Sequence, residues 1–238
     1  MFETFVVLIT AHLLSDFIFQ SNWIATRKIN LNVLLLHLAI IFVVTACLLG
    51  DLHLAILGTI VVTHGLMDFV KARFLPDTLF SFMFDQAVHI GVLAALALAY
   101  PGAYADGVWP IVLGPSDALY LKAAIVVAGF ILCVYTGAHA IRLFTAPFRA
   151  ELPEDQFEGL AKGGLYIGCL ERAVVFIFVI AGQTLSVGFL ITAKSLLRFG
   201  DIKDADHRKM AEYIIIGTFA SFGWALLVSS LAMQVLTP

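Results

Sequence analysis

The sequence predicts an all-α polytopic membrane bundle of about eight transmembrane helices. Of its 238 residues, 61% are hydrophobic and 13% charged, against roughly 45–50% and about 25% in soluble domains. Apolar runs of about 20 residues, the length that crosses a roughly 30 Å hydrocarbon core at 1.5 Å per residue, recur along the whole chain. The basic residues fall in alternate connections between those runs. Eight spans consume about 160 residues, which leaves little room for a soluble domain.

In chain order the spans are expected at 3 to 21, 31 to 50, 54 to 72, 79 to 100, 119 to 144, 162 to 182, 185 to 200 and 208 to 236. The first run lacks a basic leader and a small-residue cleavage site and carries His12 and Asp16 internally, so it reads as a retained span rather than a signal peptide. The first, third, fifth and seventh connections hold Arg27 and Lys28, then Lys71 and Arg73, then Arg149 flanked by Arg142 and Lys162, then Arg198, Lys203, Arg208 and Lys209. The others hold Asp51, Asp106 and Asp117 but no Lys or Arg. By the positive-inside rule the basic connections are cytoplasmic and both termini lie on the opposite side. The stretch 101 to 120, with Trp109 among Pro, Gly and Tyr, suits an outer interfacial piece, and the acidic stretch 145 to 159 suits a cytosolic loop. This divides the chain into a His/Asp-rich four-helix region (1–100), an outer loop with the fifth span (101–144), a cytosolic loop (145–161) and a three-span C-terminal region (162–238).

Fourteen Lys and Arg against 17 Asp and Glu leave a net charge of −3, which offers nucleic acid no electrostatic attraction. Cys47, Cys133 and Cys169 have no close pairing, so neither a disulfide framework nor a thiolate zinc site is indicated. A serine nucleophile elbow, a phosphate-binding glycine loop and a dinucleotide fingerprint are likewise missing from the sequence.

The chemistry-bearing residues of the first four spans are few in kind: His12, Asp16 and Gln20; His37; His64 and Asp68; Asp85, Gln86 and His89. One Asp near a helix centre costs roughly 2.5–3.5 kcal/mol on insertion scales, so these groups must face one another, a metal or water. His12 and Asp16, His64 and Asp68, and Asp85 and His89 are each four apart, which puts one nitrogen and one oxygen on a single helix face. The reversed order of the third pair cancels the reversed direction of its helix. Counted from the cytoplasmic ends, the carboxylates lie about 6–10 Å into the core and three imidazoles about 6 Å deeper, with His37 at carboxylate level. Imidazole and carboxylate without thiolate suit zinc, manganese or iron, and the donors outnumber the four of a closed zinc site. His12, Asp16, His64, Asp68, Asp85 and His89 are therefore the expected metal ligands, with one or two ions. His37, Gln20 and Gln86 are the catalytic candidates, for acid–base work or for orienting ligands. A metal-free hydrogen-bonded network and a cation pathway are the alternatives.

The second half mixes signs. His139, Arg142, Glu171, Arg172, Lys194 and Arg198 are the candidates for an anionic substrate pocket, against a reading as structural salt bridges. Depth pairs Glu171 with Lys194 and Arg172 with Glu212, and the glycines Gly163, Gly164, Gly168 and Gly182 suggest close helix packing.

The segments "AHLLSDFIFQSNWIATRK", "LLLHLAII", "THGLMDFVKARF" and "FDQAVHI" resemble the bacterial integral-membrane family known as domain of unknown function 3307, over roughly residues 5 to 95. "GCLERAVVF", "GFLITAKSLLRFGD" and "AEYIIIGT" look like the C-terminal extension of its longer members. The resemblance implies the helical membrane fold and a multi-pass location in the bacterial inner membrane, and carries no reaction. The His/Asp pairs are also loosely similar to membrane-bound metal-dependent hydrolases related to zinc phospholipase C. Together these readings lead to the expectation of a cytoplasm-facing hydrolase using a divalent metal, zinc ahead of manganese or iron, on a phosphoester or other anionic amphiphile. Its partner would be a membrane lipid or an anionic small molecule, and a homo-oligomer is compatible with it. The alternative is a transporter of a divalent cation, or of an anion coupled to protons.

Overall fold

A computed structural model describes residues 1–152, 163–198 and 208–237, apart from the side chains of 197 and 198. Every regular element among them is helical. The chain forms two compact units, Met1–Ile131 and Leu132–Pro238. The division falls inside the span expected at 119 to 144.

The first unit contains α1 (Phe2–Phe17), the short α2 (Asn22–Ala25), α3 (Leu31–Leu49), α4 (Leu54–Phe74), α5 (Leu79–Ala99), α6 (Val108–Leu113) and α7 (Asp117–Ile131). Local chemistry sets the helix ends. Ser21, Asn30, His53 and Thr78 each cap a helix by accepting a backbone N–H, from Ile24, Asn32, Ile56 and Ser81 respectively. Lys71 and Arg73 occupy the last turn of α4, where the helix dipole favours cations.

Helix α1 packs against α3, α5 and α7. Protein rather than lipid therefore covers most of it, and polar residues such as Thr4, Thr10, His12 and Ser15 are buried along its length. Beneath it Val7, Leu8, Ile41, Leu49, Ile56 and Ile60 form an apolar core. By contrast Leu35, Leu36 and Val43 of α3 and Val62, Leu66 and Phe69 of α4 are exposed, as side chains that face lipid should be.

The far end of this core is sealed by the stretch following α5. Gly50 ends α3 in a left-handed conformation (φ +69°), and a Cβ there would meet Trp109 Cδ1 at 2.6 Å. The last carbonyls of α3 accept from side chains and from α6: Cys47 from Trp109 Nε1 at 2.7 Å, Leu48 from the Tyr120 hydroxyl at 2.7 Å, and Gly50 from Val108 N at 2.9 Å. The Tyr104 hydroxyl donates to the Asp117 carboxylate, and burial followed by that carboxylate pushes the phenol above its usual range.

The second unit contains α8 (Gly137–Arg149), α9 (Gly163–Ile180), α10 (Thr184–Arg198) and α11 (Arg208–Leu236). Leu132–Thr136, just before α8, winds as a π-turn. A π-turn frees carbonyls from the helical ladder, and Trp224 Nε1 donates to Leu132 O at 3.1 Å.

Among the described residues, six helical segments are long and apolar enough to cross a membrane: α3, α4, α5, Val108–Arg149, α9 and α11. The described residues are therefore all-helical with six candidate membrane-spanning segments, which suggests a membrane protein. The runs expected as spans at 3 to 21 and 185 to 200 correspond to helices of 16 and 15 residues, about 24 and 22 Å long. Apolar sequence alone does not separate a lipid-facing span from a shorter helix that neighbours cover, as they cover α1.

Candidate metal centre

Four helices of the first unit, α1, α3, α4 and α5, carry the imidazoles and carboxylates to one place. Helix α1 supplies His12 and Asp16, α3 His37, α4 His64 and Asp68, and α5 Asp85 and His89. The rings of His64 and His89 stack with centroids 3.9 Å apart, and those of His12 and His37 lie 5.7 and 5.4 Å from His64. All of these side chains are buried or nearly so.

The central four donors come from Asp16, His37, His64 and Asp68. His37 Nε2 lies 3.4 Å from Asp16 Oδ1 and 3.5 Å from Asp68 Oδ2. His64 Nε2 lies 3.3 and 3.5 Å from the same two oxygens. Asp16 Oδ1, His37 Nε2 and His64 Nε2 are buried and make no hydrogen bond, and His37 Nδ1 makes none either. Leaving such an atom unpaired costs about 1–3 kcal/mol, so a cluster of them calls for an explanation. The spacing supplies one. Ligands about 2.0–2.1 Å from a tetrahedral ion stand about 3.3–3.4 Å apart, whereas neighbours around an octahedral ion at that bond length stand about 3.0 Å apart. Four observed nitrogen–oxygen distances of 3.3–3.5 Å match the spacing between neighbouring ligands of such an ion.

The α5 donors are held by a polar chain. Gln86 Nε2 donates to Asp85 Oδ2 at 3.1 Å, so its Oε1 is the acceptor that faces His12 Nε2 at 3.3 Å. His12 therefore carries its proton on Nε2 and presents a bare Nδ1, which lies 3.8 Å from Asp16 Oδ2. Two lysines complete the cluster. Lys28 Nζ lies 2.8 Å from Asp68 Oδ2, and Lys71 Nζ lies 2.7 Å from Asp85 Oδ2. Gln20 Oε1 is buried without a partner, and Trp23 is exposed with the Arg27 guanidinium 5.6 Å over its ring.

On the side of the imidazoles away from the carboxylates lies a void of about 10 Å³, lined by His12, His64, His89, Thr45 and Thr63 together with Leu8 and Ile41. That is room for about one water molecule.

Residues 4–106 match the family described as protein of unknown function, DUF3307. No curated protein and no solved structure matches the chain. The DUF3307 match spans α1 to α5 and so contains every donor named above, as well as Lys28 and Lys71. It ends before α6, which leaves the second unit outside it.

In that unit the expected anion pocket has a different character. Lys194 Nζ pairs with Glu171 Oε2 at 2.6 Å, the partner that depth suggested. Arg172 does not pair with Glu212. Its guanidinium is buried, donating to Ser221 Oγ at 2.9 Å and to the π-turn carbonyl of Val134 at 3.1 Å, with Cys169 Sγ at 3.5 Å. Glu212 instead accepts from Arg208 one turn away, in solvent. The rotation of α9 about its axis decides this, and spacing along one helix does not encode it. His139 and Arg142 stand on α8, and Arg198 ends α10 with its side chain outside the described residues. Nor do the glycines at 164 and 168 bring helices together: a Cβ at Gly164 meets nothing, and at Gly168 only the Arg172 guanidinium. Close approach occurs at Gly137 instead, where a Cβ would meet Trp224 Nε1 at 2.6 Å.

Sequence reasoning treated Lys28 and Lys71 as topology anchors. The available signal was their count from the carboxylates: Lys71 follows Asp68 by three residues, close enough for its flexible stem to reach the same layer.

Proposed function

We propose that the first unit is a membrane-embedded hydrolase that uses a divalent metal, zinc by preference, on a phosphoester or other anionic amphiphile. One observation carries the reading: four donor atoms from three helices stand with nitrogen–oxygen distances of 3.3–3.5 Å, the spacing of neighbouring metal ligands, three of them buried without hydrogen bonds. Asp16, His37, His64 and Asp68 would hold the ion. A divalent ion there supplies an activated water and polarises a phosphoryl or carbonyl oxygen. His12, whose bare Nδ1 faces Asp16, is suited to accept a proton, and Gln86 fixes its tautomer. With neutral imidazoles, Asp16, Asp68, Asp85, Lys28 and Lys71 sum to −1, so one divalent ion brings the cluster to +1 and favours an anionic substrate. In this reading the basic connections face the cytoplasm, all eight expected spans traverse the membrane and both termini lie outside.

The test is elemental analysis of full-length protein purified without chelators or affinity metals, paired with turnover of phosphoester lipids in reconstituted vesicles. Bound zinc, with turnover that His64→Ala abolishes, supports the proposal. Metal-free protein that retains its cellular function as the His64→Ala/Asp68→Ala double variant defeats it.

A second reading, a divalent-cation transporter, is favoured by the void beyond the imidazoles, where Thr45 and Thr63 join His12, His64 and His89 among aliphatic residues. Metal flux into vesicles that Asp68→Asn abolishes, without lipid turnover, would select it.

A further inference from the structure

The donors Asp85 and His89 are not used by the four-ligand position, and they repeat its signature. Asp85 Oδ1 and His89 Nε2 lie 3.3 Å apart, both buried and both without a hydrogen-bond partner. The other oxygen of Asp85 is engaged, by Lys71 at 2.7 Å and by Gln86 at 3.1 Å. Gln86 thus orients the carboxylate from behind, as outer groups orient a metal ligand, while the Lys71 ammonium competes with a cation for its charge and the free oxygen faces the imidazole. Donor atoms of Asp68, Asp85 and His89 lie within 4.8 Å of one another, as do those of His37, His64 and Asp68. Asp68 belongs to both sets, and the stacked rings of His64 and His89 hold the two sets side by side.

We infer that the cluster is binuclear: Asp85 and His89 form a second divalent-cation position, and the Asp68 carboxylate bridges it to the first. This rests on the proposed metal centre and adds a second ion of the same class. A carboxylate-bridged pair about 3.5–4 Å apart is an arrangement that clamps both the attacking and the leaving oxygen of a phosphoester. The second position differs from the first in its electrostatics. The first ion takes the five charged side chains from −1 to +1, so the second enters against positive charge and next to the Lys71 ammonium. It binds in a separate, weaker step.

The experiment is titration of chelator-stripped full-length protein in detergent with Co²⁺, followed by its visible absorption, and with Mn²⁺, followed by electron paramagnetic resonance. Wild type should take up two ions in successive steps, and the doubly loaded Mn²⁺ form should show spin coupling. Asp85→Asn and His89→Ala should each keep the first step and lose the second together with the coupling; the retained first step reports that the fold is intact. Lys71→Met removes the competing ammonium and should tighten the second step about tenfold, a gain that misfolding does not imitate. Wild type that saturates at one ion overturns the inference and leaves the single-metal reading standing, whereas wild type that binds none overturns that reading as well. A second step that survives Asp85→Asn and His89→Ala, or that Lys71→Met leaves unchanged or weakens, also overturns the assignment of these residues.

Discussion

In the first unit Asp16, His37, His64, Asp85 and His89 turn buried polar atoms toward one another without forming hydrogen bonds, whereas in the second unit the buried Arg172 donates to Ser221, Val134 and Cys169, and Glu171 pairs with Lys194. Both units hold ionisable groups in an apolar bundle, where each is costly. The second recovers most of that cost within its own side chains and backbone, including a carbonyl that the π-turn releases, and leaves Arg172 Nε and Thr136 Oγ1 without a hydrogen-bond partner. The first does so only in part, through Lys28, Lys71 and Gln86, and leaves five residues with buried donor or acceptor atoms that face one another at about 3.3–3.5 Å without a hydrogen bond. Polar groups that only hold helices together need good hydrogen-bond geometry; groups that share an ion need about 3.3 Å between donors instead. On the proposed reading, that difference distinguishes a structural polar network from a binding centre.

The comparison breaks most visibly at Asp68. Asp68→Asn should lower metal content to background and turnover by more than about 100-fold, as read by elemental analysis and vesicle assays; a variant that keeps its metal would make the first cluster no different from the second. Gln86→Leu should act more gently. It frees His12 and Asp85 from their shared amide and should cost about 10–100-fold in metal affinity while leaving some turnover, measured by competition with a chromophoric chelator. On the other side of the comparison, Arg172→Met should lower stability by about 1–3 kcal/mol, because Val134 O and Ser221 lose their donor, with metal content per folded protein unchanged. Thermal unfolding in detergent reads the first quantity and elemental analysis the second. Smallest is Lys194→Met, which leaves Glu171 partly solvated and should cost about 1 kcal/mol with no change in metal content.

How much of this was legible in the sequence follows from which interactions are local. The pairs His12/Asp16, His64/Asp68 and Asp85/His89 were readable because four-residue spacing fixes a shared helix face, and chain reversal fixes the order on the next helix. His37 was readable by depth alone, and its distances of 3.4 and 3.5 Å to the Asp16 and Asp68 carboxylates fit that level. Lys28 and Lys71 were not, because a four-carbon stem lets a residue at the mouth reach a carboxylate inside it. Arg172 was assigned the wrong partner because an adjacent pair such as Glu171–Arg172 projects to two faces, and only packing decides what each face meets. The π-turn at Leu132–Thr136 left no mark in the apolar pattern. The length of α1 was hidden for a related reason: burial by α3, α5 and α7 lets a 16-residue helix sit in the bundle with polar residues throughout.

The central claim is that the 3.3–3.5 Å spacing between the imidazoles of His37 and His64 and the carboxylates of Asp16 and Asp68 exists to hold an ion. X-ray absorption at the zinc edge of the purified full-length protein tests it most directly. The account predicts stoichiometric zinc with nitrogen and oxygen neighbours at about 2.0–2.1 Å, with the imidazole scattering diminished in His37→Ala. Zinc bound through sulfur, or folded and functional protein without any bound metal, would contradict it.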